Sequence, residues 1–304
     1  MMGRLARFLS RRRARGPRVL VKRRAALGDV LYTTPIVARL RRQEPDALIY
    51  VQTGHPDVYR RNPDVAGIFN ADDPVPMRVD RVIDLDMAYE NRRALHQLHA
   101  LMQVAFGDDG AGYAREIVFP YEDPPRLPAD LTIDWPRAVG VHLAKTWPSR
   151  MFPTSWWTAI GKVLQARGFQ LVVLGREADF TPAEIDPANL VDTRERLTLE
   201  QQAGVIAGCR LLIASPSGLI ALSAATPTTT IFMPTITSAD RYLPYRNGVL
   251  GQGFIAIEPD IPCYGCDIRQ SGKTYWECER GDNACLGTIT PEMVVSAALG
   301  VLER

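Results

Sequence analysis

The stretch KRRAALGDVLYTTPIVARLRR, residues 22–42, joins a short apolar run, Val19-Leu20-Val21, to an apolar-periodic segment that opens at Asp29-Val30-Leu31. A buried strand feeding a helix through Ala-Leu-Gly-Asp is the first part of a β-α-β unit. Gly28 lets the chain turn tightly there and lets a ligand approach the backbone. Asp29 then lies at a helix N-terminus, close in sequence to Arg23 and Arg24. One reading is a dipole-stabilised carboxylate contributing about 0.3–1 kcal/mol. The other is a general base at the carboxyl end of a sheet strand, where open α/β sheets bind ligands.

Outward from this turn the same alternation continues. ALIYVQTG and RVIDLDMAY read as strands, HPDVYRRNPDVAGIFN as a loop or short helix, and DVLYTTPIVARLRRQ and ENRRALHQLHALMQVAFG as helices. FPYEDPPRLPADLTIDWPR, residues 119–137, holds five prolines, which neither a helix nor a central strand accommodates. It predicts a linker over residues 120–137 between a first domain (17–119) and a second (138–304), each with its own core, behind a basic arm (1–16). The second half restarts with the strand RAVGVHLA and the helix TSWWTAIGKVLQARG, capped by Thr154 or Ser155 and stopped at Gly168. FQLVVLG, RLLIAS and TTTIFM are further strands; SGLIALSAA is a short helix. Thr198 opens the helix LTLEQQAGVIAGC, and Thr290 with Pro291 opens a terminal one. The fold class is therefore α/β, with two Rossmann-like doubly wound domains facing across a cleft.

Composition is that of a globular chain: 46% hydrophobic and 23% charged residues, with a net charge of +2. That small number conceals ten Lys and Arg with no acid in residues 1–24, leaving 26 basic against 34 acidic residues in the rest. The basic segment suits an anionic membrane surface or a solvated tail, and the acidic body argues against nucleic acid. No apolar run is long enough to cross a bilayer, and the first residues do not read as a signal peptide, so the expectation is a cytoplasmic protein, peripheral at the inner membrane face.

Four motifs, in one order along the chain, resemble the heptosyltransferase family, glycosyltransferase family 9. They are GDVLYTTPIVARLRRQEPDALIYV, SRMFPTSWWTAIGKVLQARGFQLVVLG, PSGLIALSAAT and the cysteine-rich CYGC…C…CLGTITPEMV, spread over residues 17–302. The resemblance implies the glycosyltransferase-B architecture, a nucleotide-diphosphate sugar held mainly by the second domain, and a glycan or glycolipid acceptor on the first. It implies inverting transfer of a heptose or similar sugar to a lipopolysaccharide-type acceptor, with Asp29 as base. Gly28 and Arg23 fall on the acceptor side. Lys145, Thr146 and Arg150, with the backbone N–H groups of Ser217, Gly218 and Leu219, fall where the departing diphosphate is neutralised. Two positions depart from the pattern: Pro216 and Ala221 replace an acid and a histidine of the family. Neither can ligate Mg²⁺ or titrate, which puts a role for Mg²⁺ in doubt. It also keeps open two alternatives, a protein glycosyltransferase of the same fold and a non-catalytic nucleotide-sugar or glycan-binding homologue.

Cys263, Cys266, Cys278 and Cys285 form C-x2-C-x11-C-x6-C in a polar segment without a core of its own. Four thiolates at this spacing suit a structural Zn or Fe, and four protein ligands leave no open catalytic position. Free thiols and disulfides are the rival readings, and a cytoplasmic compartment disfavours the latter.

Overall fold

The computed structural model describes residues 16–143, 147–176, 186–268 and 277–304, so the arm over residues 1–15, and Lys145 and Thr146, lie outside the described residues. Four parallel strands make the first sheet: β1 (Arg18–Arg23), β2 (Leu48–Thr53), β3 (Val65–Asn70) and β4 (Arg81–Asp84), in the order β3-β2-β1-β4. β3 arises where the sequence reads as loop, because it is a half-exposed edge strand with a weak apolar pattern. The single helix expected after β1 is two, α1 (Leu27–Leu31) and α2 (Thr34–Gln43). Thr33 and Thr34 hydroxyls donate back to the carbonyls of Val30 (2.7 Å) and Leu31 (2.9 Å), and Pro35 has no N–H to continue the ladder. The long helix expected from Glu90 likewise begins later, as α3 (Gln97–Phe106), behind a 3₁₀ turn over Glu90–Arg92.

The second half contains β5 (Ala138–His142), α4 (Thr154–Ala166), β6 (Gln170–Leu174), β7 (Leu190–Asp192), α5 (Leu199–Gly208), β8 (Leu211–Ala214), α6 (Gly218–Ser223) and β9 (Thr230–Phe232). A small antiparallel hairpin of β10 (Tyr245–Arg246) and β11 (Val249–Leu250) follows, then β12 (Phe254–Ala256), α7 (Ala284–Thr288) and α8 (Pro291–Leu302). The six-stranded sheet runs β12-β9-β8-β5-β6-β7, all parallel. Successive strands add on one side from β5 to β7 and on the other from β8 to β12, so the order reverses between β5 and β8. The carboxyl ends of those two strands are where a doubly wound sheet binds ligands. Thr198 and Gln201 form the expected capping box on α5, and Thr290 caps α8. Helix α4 is instead preceded by Pro153 with no side-chain cap, which corrects Thr154 and Ser155 as caps.

β5 and β8 are buried along their whole length, as strands covered on both faces must be. Alternate residues go to opposite faces. Val139, Val141, Leu211 and Ile213 pack under α4 and α8, whereas Val172, Leu174, Leu212 and Ala214 join a cluster that continues through α5 and α6 into Val19, Val21, Val30 and Leu31. One apolar cluster thus runs through both halves, beside a second that lies wholly within the second half. Among the described residues no helix is long and apolar enough to cross a membrane.

The halves meet at two glycines. A Cβ on Gly28 would lie 3.3 Å from Gly218 Cα, and one on Gly218 would lie 2.9 Å from the Gly28 nitrogen and 3.0 Å from Leu27 Cβ. Gly218→Ala therefore presses a methyl on backbone that cannot step aside, and is expected to cost about 1–3 kcal/mol. Urea unfolding of the variant checks this; a midpoint equal to wild type would mean that the seam is loose.

A second tie is His96, the N-cap of α3. Its Nδ1 accepts from the Leu98 N–H (3.2 Å), which leaves Nε2 to donate to the Leu243 carbonyl (2.9 Å). Burial, with smaller contributions from His99 and Arg115, pushes its pKa down to about 4, against the opposing pull of the Leu243 carbonyl and Asp240. The unfolded chain binds this proton more readily than the folded one. The contribution is thus complete above about pH 6.5 and is lost as pH falls toward 4, and is worth about 2–3 kcal/mol. A flatter stability profile over pH 4–6.5 in His96→Gln is the expected result, read by denaturant titration.

Candidate active site

Asp29 is the third residue of its turn, not the cap: Ala26 holds that position and makes no side-chain bond. The Asp29 carboxylate is gathered by three donors. Arg23 Nη2 lies 2.6 Å from Oδ2, while Gln97 Nε2 (2.9 Å) and the Tyr89 hydroxyl (3.2 Å) donate to Oδ1. A carboxylate offers about four acceptor positions, so one stays open. Asp29 lines a cavity of about 220 Å³ whose walls come from both halves, with Tyr89, Gln97, Arg150, Ser217, Ala221, Arg241 and Asp267 among them.

Arg23 does not reach that cavity, which corrects its assignment to the acceptor. Its side chain is 1% exposed and holds Asp29 with one edge while also donating to Glu90 Oε1 (2.7 Å), Glu90 Oε2 (3.2 Å) and the Leu85 carbonyl (2.9 Å). Burial alone would lower its pKa, but Asp29 and then Glu90 more than offset this and hold it well above the usual range. Arg23 is a positioning residue for Asp29. Gly28 lines the cavity as well, but the approach that its missing side chain permits is that of Gly218.

On the opposite wall Arg150 stacks 3.7 Å over the Trp147 ring. Its main-chain N–H donates to the Trp147 carbonyl at 2.9 Å, but among the described residues its guanidinium has no carboxylate partner, and its Nε is buried without a hydrogen bond. Burial pulls its pKa down, opposed by Tyr242, Tyr89, Asp29 and Asp267. Arg150, Trp147, Pro216, Ser217 and Gly218 also line a second cavity of about 620 Å³ at the β5 and β6 ends, with His142, Gly175, Arg176 and the start of α5. Of the three amides expected at the α6 start, that of Leu219 is taken by Ser217 Oγ at 3.2 Å, leaving those of Ser217 and Gly218. Pro216 and Ala221 both line the first cavity, and neither of these two side chains can ligate Mg²⁺.

Sequence reading missed Tyr89, Glu90 and Gln97, which follow β4, and Arg241 and Asp267, which follow β9 and β12; Thr237, in the segment MPTITSADRYLP after a strand end, was legible as a pocket-lining residue or a surface-loop one, and it lines the cavity. The only signal for the first set is that β4 lies beside β1, so its carboxyl end opens on the same spot. Strand pairing of that kind is not written in local sequence. Asp267 is next to Cys266, in the block that draws attention to sulfur rather than to the cleft.

No disulfide joins the five cysteines. Burial first, then Cys278, Cys263 and Cys266, pushes the Cys285 thiol up to about 11, which places all four sulfurs within mutual electrostatic reach. The Asn283 N–H donates to Cys278 Sγ at 3.3 Å. A four-thiol donor set fits a soft cation, although among the described residues no three His, Cys, Asp or Glu side chains surround one point at ligand geometry. Cys209 stands apart, buried under the sheet with its thiol pushed up to about 12 by burial, and takes no part.

The profile of glycosyltransferase family 9 (heptosyltransferase) matches residues 84–258. Lipopolysaccharide heptosyltransferase 1 of Pseudomonas aeruginosa is 26% identical over 180 residues, 55% of this chain and 48% of that protein, so the chain spans about half the length of the curated relative it matches. Among solved structures, the family 9 glycosyl transferase of Veillonella parvula covers 94% of this chain and 97% of its own, at 15% identity and a TM-score of 0.72. The iron-containing dodecameric glycosyltransferase TibC from enterotoxigenic E. coli gives 16% identity and a TM-score of 0.72, covering 95% of this chain and 76% of its own. E. coli ADP-heptose lps heptosyltransferase II gives 16% and 0.66, over 94% of this chain and 98% of its own. These likenesses bear out the two-sheet fold facing across a cleft. Since the matched profile spans more than half of its residues, this chain belongs to glycosyltransferase family 9, the heptosyltransferase family.

Proposed function

We propose that the chain is an inverting glycosyltransferase that moves a heptose-type sugar from a nucleotide-diphosphate donor to a hydroxyl of a lipopolysaccharide-type or other surface-glycan acceptor. The observation that carries this reading is that Asp29, with one acceptor position open, and Arg150, a cation with no carboxylate partner among the described residues, line the same cavity. Asp29 takes the acceptor proton as its oxygen attacks the anomeric carbon, and the nucleotide diphosphate leaves from the far face. Arg150 stands in the wall shared by both cavities, where the leaving group's charge develops. The Ser217 and Gly218 amides complete the seat as far as the described residues go; Lys145 and Thr146, which the family resemblance assigns to it, lie outside them. The larger cavity takes the nucleotide. ADP-D-β-D-heptose is the donor in one TibC complex, and E. coli WaaC was solved with ADP, so an ADP-sugar is the first donor to try. With Pro216 and Ala221 in the wall, the route assigned here uses arginine and amides and no step through Mg²⁺. Release of ADP from ADP-heptose that depends on a lipid-linked glycan is the expected result. ADP-heptose binding with no turnover on any glycan or protein acceptor would favour the binding homologue instead.

The cysteine block is assigned a structural Zn or Fe on its C-x2-C-x11-C-x6-C spacing and on the reach of Cys285 to the other three sulfurs, and the basic N-terminal segment an anionic membrane face. Elemental analysis of the purified chain is expected to give about one metal per chain. Four freely alkylated thiols and no metal would remove this assignment.

A further inference from the structure

Two arginines line the reaction cavity in opposite states. Among the described residues Arg150 has no carboxylate partner, whereas Arg241, in the 3₁₀ turn Ala239–Arg241, donates through Nη1 to Asp267 Oδ2 at 2.5 Å. Asp267 belongs to a second 3₁₀ turn, Cys266–Ile268, and its Oδ2 also accepts from the Thr237 hydroxyl at 3.2 Å. Both residues are 7% exposed. Their main chains are fixed too: the Asp267 N–H donates to the Ile236 carbonyl (3.0 Å), and the Asp267 carbonyl accepts from Arg93 Nη1 of the other half (3.1 Å). Among the described residues Asp267 Oδ1 is buried with no hydrogen-bond partner, and so is Arg241 Nε. Buried carboxylate oxygens are almost always satisfied, and an orphan on a cavity wall marks a place where a ligand donor belongs.

We propose that Asp267 and Arg241, aligned by Thr237, form a sugar-hydroxyl site in the reaction cavity, reading a vicinal diol of the bound glycosyl ring. The charge arrangement selects this ligand. An anion would meet the unpartnered Asp267 oxygen and an arginine already neutralised, so phosphate belongs with Arg150. A hydroxyl both donates and accepts, and a carboxylate beside a guanidinium offers it the complement of each. This assignment rests on the glycosyltransferase reading and adds to it the residues that recognise the sugar.

The test is calorimetric titration of wild type, Asp267→Asn and Thr237→Val with ADP and with ADP-heptose, followed by acceptor KM at saturating donor. The sugar is expected to add affinity in the wild type. Asp267→Asn is expected to lower affinity for ADP-heptose about tenfold or more while leaving ADP within about twofold. Thr237→Val, a milder change that keeps the ion pair, is expected to show the same selective loss on a smaller scale. Unchanged binding of both nucleotides with an acceptor KM raised about tenfold assigns the diol to the acceptor's sugar and upholds the site. Equal loss of ADP and ADP-heptose in both variants, or no change in any of the three measurements, overturns it. Wild type that binds ADP no less tightly than ADP-heptose and shows no acceptor effect in the variants overturns the sugar site alone. Wild type that binds neither nucleotide overturns it together with the reading beneath it.

Discussion

Asp29→Asn is expected to lower kcat about 10²–10⁴-fold while the affinity for ADP stays near wild type. The substitution keeps the shape of the side chain and removes its capacity to hold the acceptor's proton. It leaves Arg23 with both bonds to Glu90 and the one to Leu85, so the buried cation keeps its partners and the fold persists. Asp29 lies off the larger cavity assigned to the nucleotide, which is why binding and turnover are expected to separate. Steady-state release of ADP, paired with calorimetry on the same preparation, reads both quantities. A loss below about tenfold would show that Asp29 positions the acceptor without taking its proton.

Arg23→Met is expected to have the largest effect on stability, a loss of about 3–5 kcal/mol. The methionine fills much of the space but strands Glu90, whose side chain is 4% exposed, and removes the closest donor to Asp29. Breaking one partner of a buried ionic group leaves an uncompensated charge, and that residual charge, not the lost attraction, sets the cost. Arg23→Lys keeps the charge but cannot span Asp29, Glu90 and the Leu85 carbonyl with one planar fork, and should fall between the two. Adding Glu90→Gln to Arg23→Met is expected to recover part of the loss, since the two sites share one network. Urea unfolding at neutral pH measures the series. A cost below about 1 kcal/mol for Arg23→Met would mean that water reaches Glu90 and that the network is ordinary surface electrostatics.

Much of this architecture is legible in residue order. Alternating apolar runs, Gly28 and Gly218 at strand-to-helix turns, and the five prolines near residue 125 carry the two-sheet plan, and the carboxyl-end rule carries Asp29 and Ser217 to one cleft. What escaped depends on pairing across long sequence distances. Arg23 reads as a strand-end charge, yet 67 residues separate it from Glu90, the acid that fixes it in the interior. Tyr89 and Gln97 enter the site because β4 pairs with β1, and Asp267 because its N–H bonds the carbonyl of Ile236, in the segment after β9. The Thr33-Thr34-Pro35 break, in contrast, was present in local sequence and was outweighed there by apolar periodicity.

The contact of Gly28 with Gly218 is main chain against main chain, and so carries no information about which acceptor or donor each half has come to prefer. Substitutions that retune either half can accumulate around this joint without disturbing it, provided that both glycines stay bare. The matching of one half to the other is left to the side chains around it, the apolar cluster that runs through both and the bond from His96 to the Leu243 carbonyl.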